Sequence, residues 1–318
     1  MNPICERIDL TVKPCAHYAG DGLCRLKTVF RCIEYVRRRE PELSYSQMSS
    51  WGRCKRLWYY EQILGIEPIE VPRALAAGKL ASEVLDLVHT GDGNPLAPIL
   101  KAYKPEPETE DKVETMLASL EGTFRWYLNS QYCELRGRTQ YPFQWDEEGY
   151  PRIRGFLDLV IMSEETLGYE FKFTGNPDRY DAFTVSDQLS AYFIGVPKLQ
   201  RITLRTISPP NIKPKKNESQ AQYIERVTQS CNGSTVKDTH YWRSEFGLKS
   251  YKEKARWISK EIMEACSRGE QGCYQNLNGC YAPGECKFLP VCTAGGAISE
   301  TIYRRKGEPD ETGTSNID

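Results

Sequence analysis

The chain has no apolar run of the length a bilayer requires, about 18 residues or more, so a membrane-spanning helix is not expected. Its first residues, MNPICERIDL, lack the basic-then-apolar order of an export signal, which points to the cytoplasm. Neither sign of charge prevails: 42 Lys and Arg stand against 43 Asp and Glu, for a net charge of −1. Bulk attraction to a polyanion is therefore excluded, and any nucleic-acid binding must come from local clusters. Self-similarity at a fixed period is also missing, so a solenoid is not indicated.

What the chain does have is cysteine, 12 in 318 residues. Without an export signal these point to metal or cluster ligation rather than a disulfide scaffold. Cys5, Cys15, Cys24 and Cys32 recur through residues 1–40, with His17, Gly20 and Gly22 between them. So short a segment cannot build its own core, and four thiolates around Zn²⁺ would organise it. The paired knuckles of structural zinc sites are missing, so free buried cysteines compete with that reading. At the other end, 304–318 is charged and without apolar periodicity, which reads as a disordered tail. Residues 41–303 between them are long enough for one large domain.

The most informative stretch is Arg152–Thr174, RIRGFLDLVIMSEETLGYEFKFT, which reads as a strand, a polar turn at Glu164–Glu165 and a second strand. Side chains alternate along a strand, so Glu170 and Lys172 share a face while Tyr169, Phe171 and Phe173 fill the other. Antiparallel pairing brings Asp158 opposite Lys172 or one pair away, within reach of Glu170. Leu157, Leu159, Val160, Ile161, Phe171 and Phe173 make both strands read as buried on both faces. Two carboxylates and one lysine buried together are costly unless a cation neutralises them. Oxygen ligands for Mg²⁺ or Mn²⁺ beside an ammonium suit phosphodiester hydrolysis. A salt-bridged structural hairpin is the plainer alternative.

Around the hairpin, Ser44–Gly65 reads as one helix with Cys54 in its middle, and Ala74–His89 as a second amphipathic helix. A third spans about Val113–Asn129; strands are expected over Gln140–Trp145 and Gln200–Ile207. Thr184-x-x-Asp187 has the form of a capping box for a helix carrying Gln188 and Tyr192 on one face. Ser219-x-x-Gln222 and Ser250-x-x-Glu253 open two more helices, the last stopping at Gly269. Lys213, Lys215 and Lys216 sit in a proline-rich loop and are candidates for phosphate contacts. Near the end, Cys280, Cys286 and Cys292 are spaced C-x5-C-x5-C in a Gly-, Pro- and Asn-rich segment, with Cys273 just before them.

Gly155-x-x-Asp158 followed by Glu170-x-Lys172 resembles the PD-(D/E)XK nuclease signature, and Gln188-x-x-x-Tyr192 resembles the added motif of its RecB-like branch. The resemblance covers roughly 44–293 and is closest to phage-type and CRISPR-adaptation nucleases. It implies an α/β fold of the restriction-endonuclease-like kind, a central mixed sheet flanked by helices with a C-terminal cysteine-rich loop. It implies a metal-dependent deoxyribonuclease, an exonuclease acting on DNA ends in recombination, repair or phage DNA processing, within a bacterium or phage-infected host. Asp158 and Glu170 would bind Mg²⁺ or Mn²⁺ with the Phe171 carbonyl, Lys172 would orient the hydrolytic water, and Gln188 and Tyr192 would complete the catalytic set. DNA is the implied substrate, and a single-strand annealing protein or a helicase the implied protein partner.

The same resemblance implies a [4Fe–4S] cluster on Cys54, Cys280, Cys286 and Cys292, with tetrahedral Zn²⁺ open to the same ligands. It also places a metal-binding histidine four residues after a helix glycine. Four after Gly78 comes Ser82, a poor ligand, which leaves Glu83, or His89 further along the helix, as the candidate third ligand, with an ordinary helix-end histidine the plainer reading of His89. In His240-Tyr-Trp-Arg243, Arg243 reads as a DNA or structural contact. A DNA-binding or assembly subunit with a weak nuclease site is the alternative function, and a zinc-stapled adaptor a third.

Overall fold

The structure, a computed structural model, describes residues 42–70, 72–103, 111–281 and 284–306. Cys5, Cys15, Cys24 and Cys32, with the zinc module expected on them, lie outside the described residues, as does 307–318 of the charged tail. No helix among the described residues is long and apolar enough to cross a membrane.

Helix α1 (Tyr45–Arg53) is followed by α2 (Arg73–Thr90) and α3 (Asp111–Leu128). Strands β1 (Arg138–Trp145), β2 (Ile153–Met162) and β3 (Thr166–Phe173) come next. Then follow α4 (Asp187–Gly195), β4 (Leu199–Ile207), α5 (Gln220–Ser230), β5 (Val236–Tyr241) and α6 (Glu245–Ser267). The described residues divide into two compact units, those within 72–145 and 154–251, and those within 42–70, 146–153 and 252–306.

The first unit holds a five-stranded mixed sheet in the order β1-β2-β3-β4-β5, the α/β architecture of a restriction-endonuclease-like fold. β2 and β3 form the antiparallel hairpin, with register from Met162↔Thr166 to Leu159↔Tyr169. β4 runs parallel to β3, which requires a crossover, and α4 lies in that connection. β5 closes the sheet antiparallel to β4.

The period-2 pattern of the hairpin sorts its side chains as the sequence implies. Leu159, Tyr169 and Phe171 enter one core with Val84, Leu85 and Val88 of α2 and Leu120, Phe124 and Tyr127 of α3. At about 25 cal/mol per Å² of apolar surface, each of these fully buried side chains contributes roughly 1.5–3 kcal/mol. The alternate residues Gly168 and Glu170 take the other face. A Cβ on Gly168 would meet the Leu157 side chain at 2.7 Å, so a larger residue there would make that leucine shift.

Within the α2–α3 core runs a polar line. His89 is fully buried, its Nδ1 lies 3.0 Å from the Leu135 carbonyl, and its Nε2 lies 3.2 Å from the Tyr127 hydroxyl. Its ring stacks on Phe171 with centroids 4.9 Å apart. Arg205 of β4 donates to the Tyr127 hydroxyl at 3.1 Å and, through a two-pronged pair at 2.8 and 2.7 Å, to Asp238 of β5. His89 is thus more than a helix-end residue: it joins α2 to α3 and to the hairpin.

Three local readings are corrected. The expected helix over Ser44–Gly65 breaks at Cys54, whose backbone is extended at φ −164° and ψ 124°, and resumes as Lys55–Trp58 and a π-turn Tyr59–Leu64. The cap of α4 is Ser186, whose hydroxyl accepts from the Gln188 amide, because Pro177–Val185 forms a 3₁₀ segment that absorbs Thr184. Helix α6 begins at Glu245 rather than at Ser250, with Ser244 accepting from the Gly247 amide at 3.1 Å. The capping box Ser219-x-x-Gln222 is formed as expected.

Burial pushes His89 down to about 4, well below the usual histidine value of about 6.5. Between those values the unfolded chain binds a proton that the folded chain refuses, so this contribution to stability is lost as pH falls. The difference in unfolding free energy between the native chain and His89→Phe should shrink by on the order of 3 kcal/mol from pH 7 to pH 4. Urea titrations of both proteins at the two pH values would check it, since the titration of every other group cancels in the difference.

Candidate active site

Asp158 lies near the middle of β2, at the position next to the Leu159↔Tyr169 pair, and Glu170 is the next residue along β3. The Phe171 amide donates to Asp158 Oδ2 at 2.7 Å, which ties the aspartate across the hairpin. Glu170 is 2% exposed and is the centre of the polar group. Its Oε1 accepts from Lys172 Nζ and from Gln188 Nε2, the latter at 3.0 Å, and its Oε2 accepts from the Tyr192 hydroxyl at 2.6 Å. A carboxylate offers about four acceptor positions, so three donors leave one for a further partner. Gln188 also donates to the Tyr192 hydroxyl at 2.6 Å. The five residues Asp158, Glu170, Lys172, Gln188 and Tyr192 thus converge, drawn from two strands and one helix.

The electrostatics match this crowding. Desolvation, and then the charge of Glu170, pushes Asp158 up to about 8, against the pull of Lys172 and the Phe171 amide. Desolvation would lower Lys172, but Glu170 and Asp158 outweigh it and hold the ammonium above its ordinary value. Burial, followed by the two carboxylates, raises the Tyr192 hydroxyl well above the usual phenol range. Tyr192 is therefore a donor that stays protonated, and Lys172 one that stays charged. One ammonium does not balance two carboxylates held this closely, and the remaining negative charge is what a divalent cation would take up.

The backbone around the site is shaped by a ring. Phe143 of β1 stands edge-on to Tyr192, with centroids 5.6 Å apart and planes at 87°. A Cβ on Gly155 would lie 2.8 Å from the Phe143 ring, and one on Gly195 2.0 Å from it. Both glycines are needed because the ring occupies the space a side chain would use. The glycine of Gly155-x-x-Asp158 thus serves packing, and Phe143 went unnoticed because a lone aromatic in a strand carries no signal by itself.

On α2 the residues separate. Ser82 is half-buried and Glu83 exposed, while Asp86, one turn beyond Ser82, is the acid whose charge reaches Asp158. Gln140 Nε2 donates to Asp86 Oδ1 at 3.2 Å. Gln140 has φ +44°, a left-handed conformation that costs a non-glycine residue on the order of 1–3 kcal/mol and turns up at working sites. Desolvation raises Asp86, opposed by the Gln140 bond. The signal for Asp86 was available: the i, i+4 spacing continues from Gly78 through Ser82 to it. His89 is placed away from the carboxylates by its stacking on the far side of Phe171.

In the second unit, Cys54 lies against the segment that carries the late cysteines. The Asn276 amide donates to Cys54 Sγ at 3.3 Å, and the Asn276 carboxamide to the Arg53 carbonyl at 2.9 Å. Arg53 donates to the carbonyls of Gly279 at 2.9 Å and Gly284 at 2.7 Å. The Cys286 amide donates to the Cys280 carbonyl at 2.7 Å. Burial raises the Cys286 thiol, with smaller additions from Cys54 and Cys292. Cys273 is fully buried, and burial pushes its thiol up to about 11. Among the described residues no three His, Cys, Asp or Glu side chains stand at the spacing that would hold a metal ion.

A family model of the PD-(D/E)XK nuclease superfamily matches residues 42–293, well over half of the chain. No curated protein matches it. Among solved structures, one described as "Putative exonuclease", from Eubacterium rectale, is 10% identical with a TM-score of 0.47, over 83% of this chain and 92% of that one.

The packing around Phe143 yields a mutational test. Gly195→Ala should destabilise the protein by about 1–3 kcal/mol, because the methyl group must displace the Phe143 ring and with it Tyr192. Gly52→Ala, where a Cβ meets nothing within 4 Å, should leave the thermal midpoint unchanged or raise it slightly. Thermal unfolding followed by circular dichroism would compare the two.

Proposed function

The chain belongs to the PD-(D/E)XK nuclease superfamily, a superfamily of phosphodiester hydrolases, and from that premise we propose that it is a RecB-like, Mg²⁺- or Mn²⁺-dependent deoxyribonuclease that degrades DNA from its ends. One observation carries the reading: Glu170 is buried with Lys172, Gln188 and Tyr192 all donating to it, while Asp158 beside it is pushed up by the same desolvation. A structural ion pair does not need a second carboxylate without a cation of its own.

Asp158 and Glu170 would hold the ion with the Phe171 carbonyl, since no third acidic side chain stands with them at metal-holding spacing among the described residues. Asp86 acts on Asp158 through its charge, and Glu83 is exposed. When bound, such an ion neutralises charge on the scissile phosphate and lowers the pKa of a coordinated water. Lys172, anchored by one N–H on Glu170, has two more with which to orient the attacking water and to stabilise negative charge on the phosphate oxygens. The phosphorus–oxygen bond to the leaving sugar oxygen breaks as the bond to the water oxygen forms, and the leaving oxygen takes up a proton. Gln188 and Tyr192 act by fixing Glu170 in the orientation that leaves its fourth acceptor position open.

Asp158→Ala and Lys172→Ala should each lower divalent-dependent DNA cleavage at least ~100-fold while the far-ultraviolet circular dichroism stays native. Near-native cleavage by both variants, measured on end-labelled duplex and single-stranded substrates, would remove the assignment.

We propose further that Cys54, Cys280, Cys286 and Cys292 bind a [4Fe–4S] cluster. The support is donor chemistry and chain placement, with Cys54 held against the late loop by the Asn276 amide and the Arg53 contacts; the thiols do not stand at metal-holding spacing in this structure, so binding would have to draw them together. A closed set of thiolates excludes water and staples residues more than two hundred apart, so loading stabilises the fold. After anaerobic purification, replacing any one of the four by Ser should cost bound iron and sulfide and lower the thermal midpoint, whereas Cys133→Ser, Cys231→Ser and Cys266→Ser should keep the iron. Zinc without iron in the native protein would assign the four thiols to Zn²⁺ instead.

A further inference from the structure

Between the C-terminal end of α2 and the outer strand β1 lies a cleft of about 610 Å³. Thr90 and Asp92 line it from the helix side, and Arg138, Thr139, Tyr141 and Pro142 from the strand. Its volume falls within the roughly 300–1,000 Å³ of small-molecule sites, the scale of a single nucleotide. The walls are fixed in place. The Gly137 amide donates to the His89 carbonyl at 3.3 Å, and a Cβ on Gly137 would stand 2.4 Å from the Val160 carbonyl, so the entry to β1 is held between α2 and β2. Gly91, at φ +82°, ends the helix with its amide on the Leu87 carbonyl at 3.1 Å. The Thr90 hydroxyl donates to the Asp86 carbonyl at 2.8 Å, which leaves its oxygen free to accept. Among the described residues, the side chains of Asp92, Arg138, Thr139 and Tyr141 have no hydrogen-bonded or ion-paired partner, so their polar groups are open to a ligand.

One row of α2 joins this cleft to the candidate active site. Residues four apart share a helix face, so Ser82, Asp86 and Thr90 form a line, with Thr90 about 6 Å beyond Asp86 along the axis. The charge of Asp86 reaches Asp158. From β1, Gln140 bonds to that same Asp86 at 3.2 Å, while Thr139 and Tyr141 on either side of it line the cleft. Gln140 keeps its left-handed backbone, φ +44°, at the point where strand, acid and cleft meet, and strain of this kind gathers at working sites.

The lining has a direction. Arg138 offers a guanidinium fork to a phosphate, and the half-buried Tyr141 a ring on which a base can stack. The C-terminal end of α2 and Asp92 make the helix side electronegative, which favours a hydroxyl donor there and repels a second phosphate. A strand entering past Asp86 therefore ends in the cleft instead of running through it. We infer that this cleft seats the terminal nucleotide of the strand being cut, with its phosphate on Arg138, its base on Tyr141 and its free sugar hydroxyl toward Asp92. The inference rests on the nuclease reading and adds to it a seat for the chain end, which a nuclease confined to ends requires.

The test reads binding to the full chain by calorimetry with chelator present, using thymidine 5′-monophosphate, thymidine 3′-monophosphate, thymidine and inorganic phosphate as probes. At least one monophosphate should bind about tenfold or more tightly than thymidine or phosphate alone, and the preferred one tells whether the seated end carries a 3′ or a 5′ hydroxyl. Arg138→Ala should weaken that binding at least about tenfold, through the lost charged hydrogen bonds. Tyr141→Ala should weaken it about fivefold or more, and Tyr141→Phe, which keeps the ring, should bind like the native chain. With Mn²⁺ in place of chelator, the preferred monophosphate should inhibit DNA cleavage competitively, and Arg138→Ala should raise the inhibition constant by the factor found in binding. If a native chain that cleaves DNA bound neither monophosphate, or if Arg138→Ala and Tyr141→Ala both left the binding unchanged, the seat would be overturned and the nuclease reading would stand. Inorganic phosphate binding as tightly as the monophosphates would make the cleft an anion site only and overturn the seat as well. A native chain that binds a monophosphate through Arg138 yet cleaves no DNA would overturn the nuclease reading, and with it the terminal nucleotide as the occupant.

Discussion

The constraint on which the first unit depends is the burial of Glu170. A carboxylate removed from water costs several kcal/mol unless its lone pairs are met, and here Lys172, Gln188 and Tyr192 meet three of them. Each donor must come from a fixed direction, so the requirement spreads outward. Lys172 comes from two residues further along the same strand, which needs regular β geometry. Gln188 and Tyr192 come from successive turns of α4, which needs that helix to begin at Asp187 and to lie on the Glu170 face of the sheet. The parallel pairing of β3 and β4 leaves a crossover connection in which such a helix fits.

The opposite face of the hairpin answers to a different requirement. Phe171, whose amide holds Asp158, is stacked beneath His89, and His89 is tied to Tyr127, which Arg205 reaches from the neighbouring strand. Strand β3 is thus gripped by polar contacts on one side and by an aromatic and hydrogen-bonded layer on the other. Gripping a strand from both faces limits how far Asp158 and Glu170 can move apart under their own repulsion. The two glycines over Phe143 act to the same end, letting β1, β2 and α4 approach closely enough for Tyr192 to reach Glu170.

The second unit is tied together between an early and a late stretch of the chain. Its two-stranded pairing, Ile66–Pro68 with Tyr303–Arg305, and the bonds from Arg53 and to Cys54 join an early stretch to a late one. Gly279 packs so tightly on the Arg53 carbonyl that a Cβ there would stand 2.5 Å from it. The break in the helix at Cys54 fits this arrangement: an extended residue turns the cysteine toward the Asn276 amide instead of leaving it on a continuous helix face. Periodicity alone reads through such a break because the apolar residues on both sides, Met48, Trp51, Leu57 and Trp58, are all buried.

The hairpin, its alternation and the approach of Asp158, Glu170 and Lys172 were legible in the sequence because they follow from local rules, whereas spacing put Gln188 and Tyr192 on one helix face and only the family resemblance turned that face toward Glu170. Period two sorts a strand's faces, a short turn sets the register, and i, i+4 spacing aligns two residues on a helix. Tertiary structure decided the rest. Whether Glu83 or Asp86 is the acid of α2 that Asp158 senses depends on the rotation of that helix against the sheet, since the two side chains stand about 60° apart around its axis. Phe143 matters only because two glycines distant in sequence leave it room. His89 was read as a helix end and became a buried link because Tyr127, Phe171 and Leu135, which surround it, come from three separate elements. Local spacing determines which side chains share a face; which faces then meet is determined by packing across the whole unit.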